Sequence, residues 1–194
     1  NADEKEAMKN AMWDTETGKR KGSTTAKDAS VMAKEAGFDN EAALQAKFFM
    51  VEETGYGKGY PFSDEKLSLV LTVYKAKDFV DALVITKVIL AFKGRGHSCG
   101  LHTKDEEHVL RIGMEMDVCR LLINQAQCFG NGGSFDNGLN FTLSMGGGTW
   151  AGNNIKENLS YKHFIQLTKV AKPIPAVVPA EEDLFGDYWE TYGK

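Results

Sequence analysis

The stretch that most limits what this chain can fold into is residues 130–153, GNGGSFDNGLNFTLSMGGGTWAGN, which holds eight of the chain's 20 glycines in 24 residues. No helix or strand is built from that composition. Glycine loses more backbone entropy on ordering than any other residue. A loop that concentrates it therefore needs φ > 0 at several positions, or a main chain that comes close to something bulky. Two readings stay open from these residues alone: a site walled by main chain, and a set of ordinary Gly/Asn/Ser turns between strands. A phosphate cradle is not among them, because neither GxGxxG after a strand nor GxxxxGK[ST] occurs in the stretch.

The rest of the chain supplies periodic elements ahead of this loop. Residues 3–13 read as a short charged helix and GKRKGST as a basic turn. A second helix over Lys27–Ala36 is expected to be capped by Thr24 or Thr25 and stopped by Gly37. Lys19, Arg20 and Lys21 between them read as a solvated loop, with phosphate binding as the alternative.

From residue 46 the period changes. KFFMVEE (47–53) is expected to be a buried strand, TGYGKGYPF a loop, and LSLVLTVYKAK (67–77) a second strand. A helix should start at Asp78, with Phe79, Leu83, Thr86 and Leu90 near one face and Gly94 past its end. SCGLHT reads as a third strand. Thr103 to Glu106 reads as a capping box for a helix whose inner face is Val109, Ile112, Met116 and Cys119, and RLLIN (120–124) as a fourth strand. This order predicts an α/β fold with a largely parallel sheet, in which sites sit at the carboxyl ends of strands. KHFIQLTKVAKPI (162–174) alternates well enough for one more strand, and PIPAVVP is an extended spacer. The tail EEDLFGDYWETYGK is acidic and aromatic and is expected to dock on a neighbouring surface. The expected division is a helical segment over 1–44, an α/β region over 45–160, and a pairing strand with its tail over 161–194.

Composition excludes several partners. A formal charge of −4 argues against nucleic acid. No window approaches the roughly 18 apolar residues of a membrane span. Cys99, Cys119 and Cys128 form no CxxC and leave an odd thiol, which suits a reducing compartment and makes the cytosol the expected location. The chain opens on Asn1 in a polar helical run, which reads as the interior of a longer polypeptide.

Few side chains announce chemistry. His97, in GRGHS at a helix-to-strand junction, has the backbone freedom to project into a cleft; a hydrogen-bonded surface role is the alternative. His102 and His108 are spaced too irregularly with His97 for a helical metal pair and HExxH is absent, so no metal site is expected. Cys99 with His97 makes either a thiolate pair or a buried structural cysteine beside a histidine. Nothing intrinsic singles out Glu65.

PFSDEKLSLVLTVYKAKDF, GRGHSCGLHTKDEEHV, RLLIN and FTLSMGGGTWAGNNIKENLSYKHF, in that order, resemble successive blocks of the CoA-acylating aldehyde dehydrogenases, over about Val31 to Ile174. The resemblance implies a segment of the three-layer catalytic domain of that family. It also implies its chemistry: a cysteine thiolate attacks a small aldehyde, hydride passes to NAD or NADP, and coenzyme A takes the acyl group from the thioester. HSCGLHT, GTWAGN and EEDLFGDYW point to a sulfoacetaldehyde-like substrate, with succinate semialdehyde or propionaldehyde as alternatives.

By position, Glu65 matches the family glutamate on the nicotinamide-side ribose, and His97 a cleft histidine of CoA exchange or hydride geometry. Gly146, Gly147, Gly148, Thr149 and Trp150 match a loop lining the substrate cleft, and KHFIQLTKVA resembles a subunit-pairing strand, implying a homo-oligomer. The family's nucleophile and most of its dinucleotide-binding half precede the point where this chain starts, so the resemblance implies a C-terminal segment, inactive alone, whose partner is the missing N-terminal half. Leu69 stands where the family usually has Pro, and Gly147 where it often has Cys. A non-catalytic assembly module and an independent nucleotide-binding domain are the alternatives.

Overall fold

The structure, a computed structural model, describes residues 1–194, which divide into two units, Asn1–His163 and Phe164–Lys194. Within the first unit, α1 (Ala2–Met12) is capped by the Asn1 side chain on the Glu4 amide. Its Lys5 ammonium reaches the buried Glu53 carboxylate at 2.9 Å, and thus ties the helix to the first strand.

The second helix, α2 (Ala29–Glu35), starts two residues later than expected, at Ala29, and its N-cap Asp28 makes no side-chain cap bond. Thr24 and Thr25 instead turn their hydroxyls back to the Lys21 carbonyl, the local hydrogen bonding by which threonine competes with helix initiation. Gly37 takes the left-handed conformation (φ +74°) that ends the helix. A one-turn helix, α3 (Glu41–Leu44), follows.

Strands β1 (Phe49–Glu52) and β2 (Val70–Val73) pair in parallel, Phe49 opposite Val70 and Glu52 opposite Val73. Of β1 only Val51 is buried, so the expectation of a fully buried strand is corrected: one face packs on Met8, Met12, Trp13, Met32 and Phe62, and the other exposes Met50. Trp13 meets Phe62 edge-on at 5.0 Å.

The long helix α4 (Phe79–Phe92) is capped by Asp78 on the Asp81 amide and leads to β3 (Cys99–Leu101). α5 (Glu106–Glu115) starts from Asp105, whose carboxylate accepts from the Glu107 and His108 amides; this cap replaces the expected capping box at Thr103. β4 (Leu121–Ile123) pairs with β3 in parallel, Cys99 opposite Leu121. A second core of Leu83, Cys99, Ile112 and Met116 joins α4, α5 and this pair. The sheets are parallel as the strand and helix order requires, but the strands form two separate pairs, β1 with β2 and β3 with β4.

After β4 comes one short helix, α6 (Gln127–Gly130), and then the glycine-rich loop, which asparagines hold together. The Asn158 amide donates to the carbonyls of Asn131 and Asn140, and Asn137 bonds Gly130 and Gln125. In the second unit, residues 164–180 form no strand, which corrects the expected strand over 162–174, and α7 (Glu181–Tyr192) follows them. No helix is long and apolar enough to cross a membrane.

Candidate functional site

An open cleft of about 540 Å³ lies beside β2 and the end of α4, and both Glu65 and His97 line it. Each sits on a turn just ahead of a strand, Glu65 before β2 and His97 before β3. The cleft runs along β2 as far as Tyr74, so Glu65 and His97 reach it from strand starts while the carboxyl end of β2 also lines it. The Glu65 turn is built from main-chain bonds that do not involve its carboxylate. The Arg20 guanidinium donates to the Glu65 carbonyl at 2.9 Å, the Asp64 carboxylate accepts from the Glu65 amide, and Leu67 takes φ +46° with its carbonyl on the Ala26 amide. The Lys66 ammonium caps the Phe62 and Asp64 carbonyls; burial lowers its pKa, opposed by the Asp64 charge. The Glu65 carboxylate, exposed at the cleft, makes no hydrogen bond or ion pair within the chain, so both oxygens are free to accept from a ligand.

His97 follows two left-handed glycines, Gly94 (φ +102°) and Gly96 (φ +85°), which end α4 and turn the chain into β3. Its Nδ1 lies 2.7 Å from the buried Ser98 hydroxyl, which accepts from Gln127 Nε2 at 2.9 Å. Nδ1 and the Ser98 hydroxyl thus share one hydrogen bond that orients the ring, with Gln127 holding the hydroxyl from the other side. Partial burial and then the Arg120 charge lower the pKa of His97 below its ordinary value of 6.5, while Glu65 across the cleft raises it. The ring is thus a neutral hydrogen-bond donor near neutral pH.

The glycine loop reaches this site by main chain. Arg120, just ahead of β4, donates to both the His97 carbonyl and the Gly146 carbonyl. A Cβ on Gly96 would lie 2.4 Å from the Gly147 carbonyl oxygen, and one on Gly146 would lie 1.7 Å from that of Ile155. Close approach is therefore what the glycines serve, and the bulky object is the loop's own backbone and the His97 turn. Gly146, Gly147 and Gly148 pack behind the turn; Thr149 and Trp150 are exposed and do not line the cleft.

Cys99 is buried and its thiol pKa is pushed up by burial, the state of a structural cysteine. Ser98, Gln127 and Arg120 gave no sequence signal of a site, apart from Arg120 being a charge heading an apolar strand.

No family model matches the chain. It is 47% identical over its whole length to the acylating sulfoacetaldehyde dehydrogenase of Cupriavidus necator, of which it covers 39%. It is 33% identical over 72% of its length to the acetylating succinate-semialdehyde dehydrogenase of Clostridium kluyveri, covering 31% of that protein. The chain spans about two fifths or less of the length of these relatives. The crystal structure of an acetylating aldehyde dehydrogenase from Geobacillus thermoglucosidasius superposes with a TM-score of 0.82 at 27% identity, over 93% of this chain and 39% of that one. The fold is thus that of a portion of an aldehyde dehydrogenase. Within that class the chain belongs to the CoA-acylating aldehyde dehydrogenases, as a C-terminal segment.

Proposed function

We propose that this segment supplies the cofactor-ribose and acyl-transfer side of an acylating aldehyde dehydrogenase that converts a small, sulfoacetaldehyde-like aldehyde to its acyl-CoA. The observation that carries the reading is that Glu65 and His97, far apart in sequence, line one cleft with the carboxylate unpaired and the imidazole a neutral donor. Glu65 would hold the ribose of NAD or NADP, which would supply the hydride acceptor, and the acyl group would pass to coenzyme A from a thiolate of the remaining polypeptide. Glu65 fits a ribose diol, because a carboxylate with two free oxygens accepts from adjacent hydroxyls. His97, held by Ser98, has two uses for Nε2: with its proton there it donates to an oxygen that gains charge during acyl transfer, and as the other neutral tautomer, with its proton on Nδ1, it accepts one from the CoA thiol at Nε2. Thr149 and Trp150 belong in this reading to the loop's outer face, against the missing half.

Two surfaces support the proposed partners. Helix α4 is apolar nearly all round yet buries only Leu83 fully and exposes Val80 and Val84, as a helix does when a further layer belongs on it. In the second unit, α7 exposes Leu184, Phe185 and Tyr188, a surface suited to a second copy paired through residues 162–174. A cytosolic setting agrees with three free thiols. The test is steady-state oxidation by the protein that carries this segment at the full length of its relatives. Acyl-CoA formation from sulfoacetaldehyde that requires both CoA and NAD or NADP is expected; free acid formed without CoA would refute the reading.

A further inference from the structure

Arg120 is 4% exposed and has no carboxylate partner. Both of its hydrogen bonds come from Nη2, at 3.0 Å to the His97 carbonyl and 2.8 Å to the Gly146 carbonyl, while Nε and Nη1 are enclosed without an acceptor. A buried cation left half-satisfied costs stability, and an apolar residue of similar volume in such a place is often neutral or stabilising. Arg120 therefore contributes something other than stability. What it supplies is a polar tie between two loops that otherwise meet through main chain and the Ala151 methyl. Gly96 and Gly147 meet main chain to main chain, with no room for a Cβ on either.

We propose that Arg120 is a positioning residue: its Nη2 clamps the turn carrying His97 to the glycine loop and so fixes how the imidazole is presented to the cleft. The inference rests on the reading of His97 as part of the acyl-transfer site, but the clamp can be tested apart from activity. The groups around His97 are Ser98 on its own turn, Gln127 behind Ser98, Arg120 from the start of β4, Glu65, Asp64 and Lys66 from the turn before β2, and Lys93 at the end of α4. Of these, Arg120 holds the imidazole toward its neutral form from behind, and Glu65 opposes it from the front.

The experiment compares Arg120→Met and Arg120→Lys in the full-length protein, by steady-state kinetics against pH, thermal unfolding, and NMR titration of the His97 ring. Arg120→Met is expected to lower kcat by roughly 10- to 100-fold, the scale of a displaced reacting group. It should also shift the His97 titration upward and leave Tm unchanged or higher. Arg120→Lys, whose ammonium can still donate to both carbonyls, is expected to recover part of kcat. Arg120→Met with native kcat and an unmoved His97 titration overturns the proposal. So does a loss of Tm in both variants with the His97 titration unmoved in the folded fraction, which marks the residue as structural only. If the unaltered protein forms no acyl-CoA, the functional reading fails, and the clamp is decided by the backbone amide shifts of residues 96–98 and 146–148, which must move in Arg120→Met and stay near native in Arg120→Lys.

Discussion

Replacing Glu65 with Gln isolates one charge at the cleft. The turn that carries it is held by the Arg20 bond to its carbonyl, the Asp64 bond to its amide and the Ala26 bond to Leu67, none of which uses the carboxylate. The substitution therefore leaves the loop in place, and an exposed side chain without partners keeps stability within about 0.5 kcal/mol. A carboxylate accepting from a ribose diol contributes roughly 1.5 to 3 kcal/mol, as hydrogen bonds to charged groups do. At about 1.4 kcal/mol per tenfold, its loss corresponds to a rise of roughly ten- to a hundredfold in cofactor requirement. Gln keeps one acceptor oxygen, so the lower part of that range is expected. Initial rates of the full-length protein at varied NAD or NADP, with aldehyde and CoA saturating, measure it. An unchanged cofactor KM and kcat would refute the reasoning, and so would a loss of Tm that accounts for the change.

The same geometry sets four further outcomes. His97→Ala should lower acyl transfer by roughly 10²-fold or more with little change in Tm; a melting loss that explains the activity loss would assign the ring a structural role. Because the folded pKa of His97 is depressed, its share of stability is present above the unfolded value and is lost as pH falls through the folded one. Urea titrations at stepped pH should show this slope in the native protein and not in His97→Ala. Gly96→Ala places a side chain at φ +85° and 2.4 Å from the Gly147 carbonyl oxygen, so a loss of at least about 1–2 kcal/mol is expected from the backbone alone; unfolding with native stability would show that the two loops do not meet. A thiol reagent should label exposed Cys128 well before Cys99, which is buried with its pKa raised; comparable rates would place Cys99 in the cleft.

Local signals carried the elements well. Asp78 ahead of an apolar run marks the start of α4, and Gly37 and Gly94 mark helix ends, because caps and left-handed residues are set by a few neighbouring atoms. The same locality explains the misplaced caps: Thr24 and Thr25 carry the right oxygen but spend it on the Lys21 carbonyl, and Asp105 takes the cap of α5 from Thr103. Burial was less legible. β1 looks buried by composition and is half exposed, because burial depends on what lies opposite.

The sequence by itself determined the parallel α/β character and the family, since spacing and composition are properties of the chain alone; that the glycines serve close backbone approach was decided by the structure. Tertiary structure decided which groups share a cleft. Glu65 and His97 line one cleft though distant in the sequence, and Ser98 and Arg120 are tied to His97 by its ring nitrogen and its carbonyl. Such contacts follow from how strands pair across long separations, which no local pattern of residues encodes.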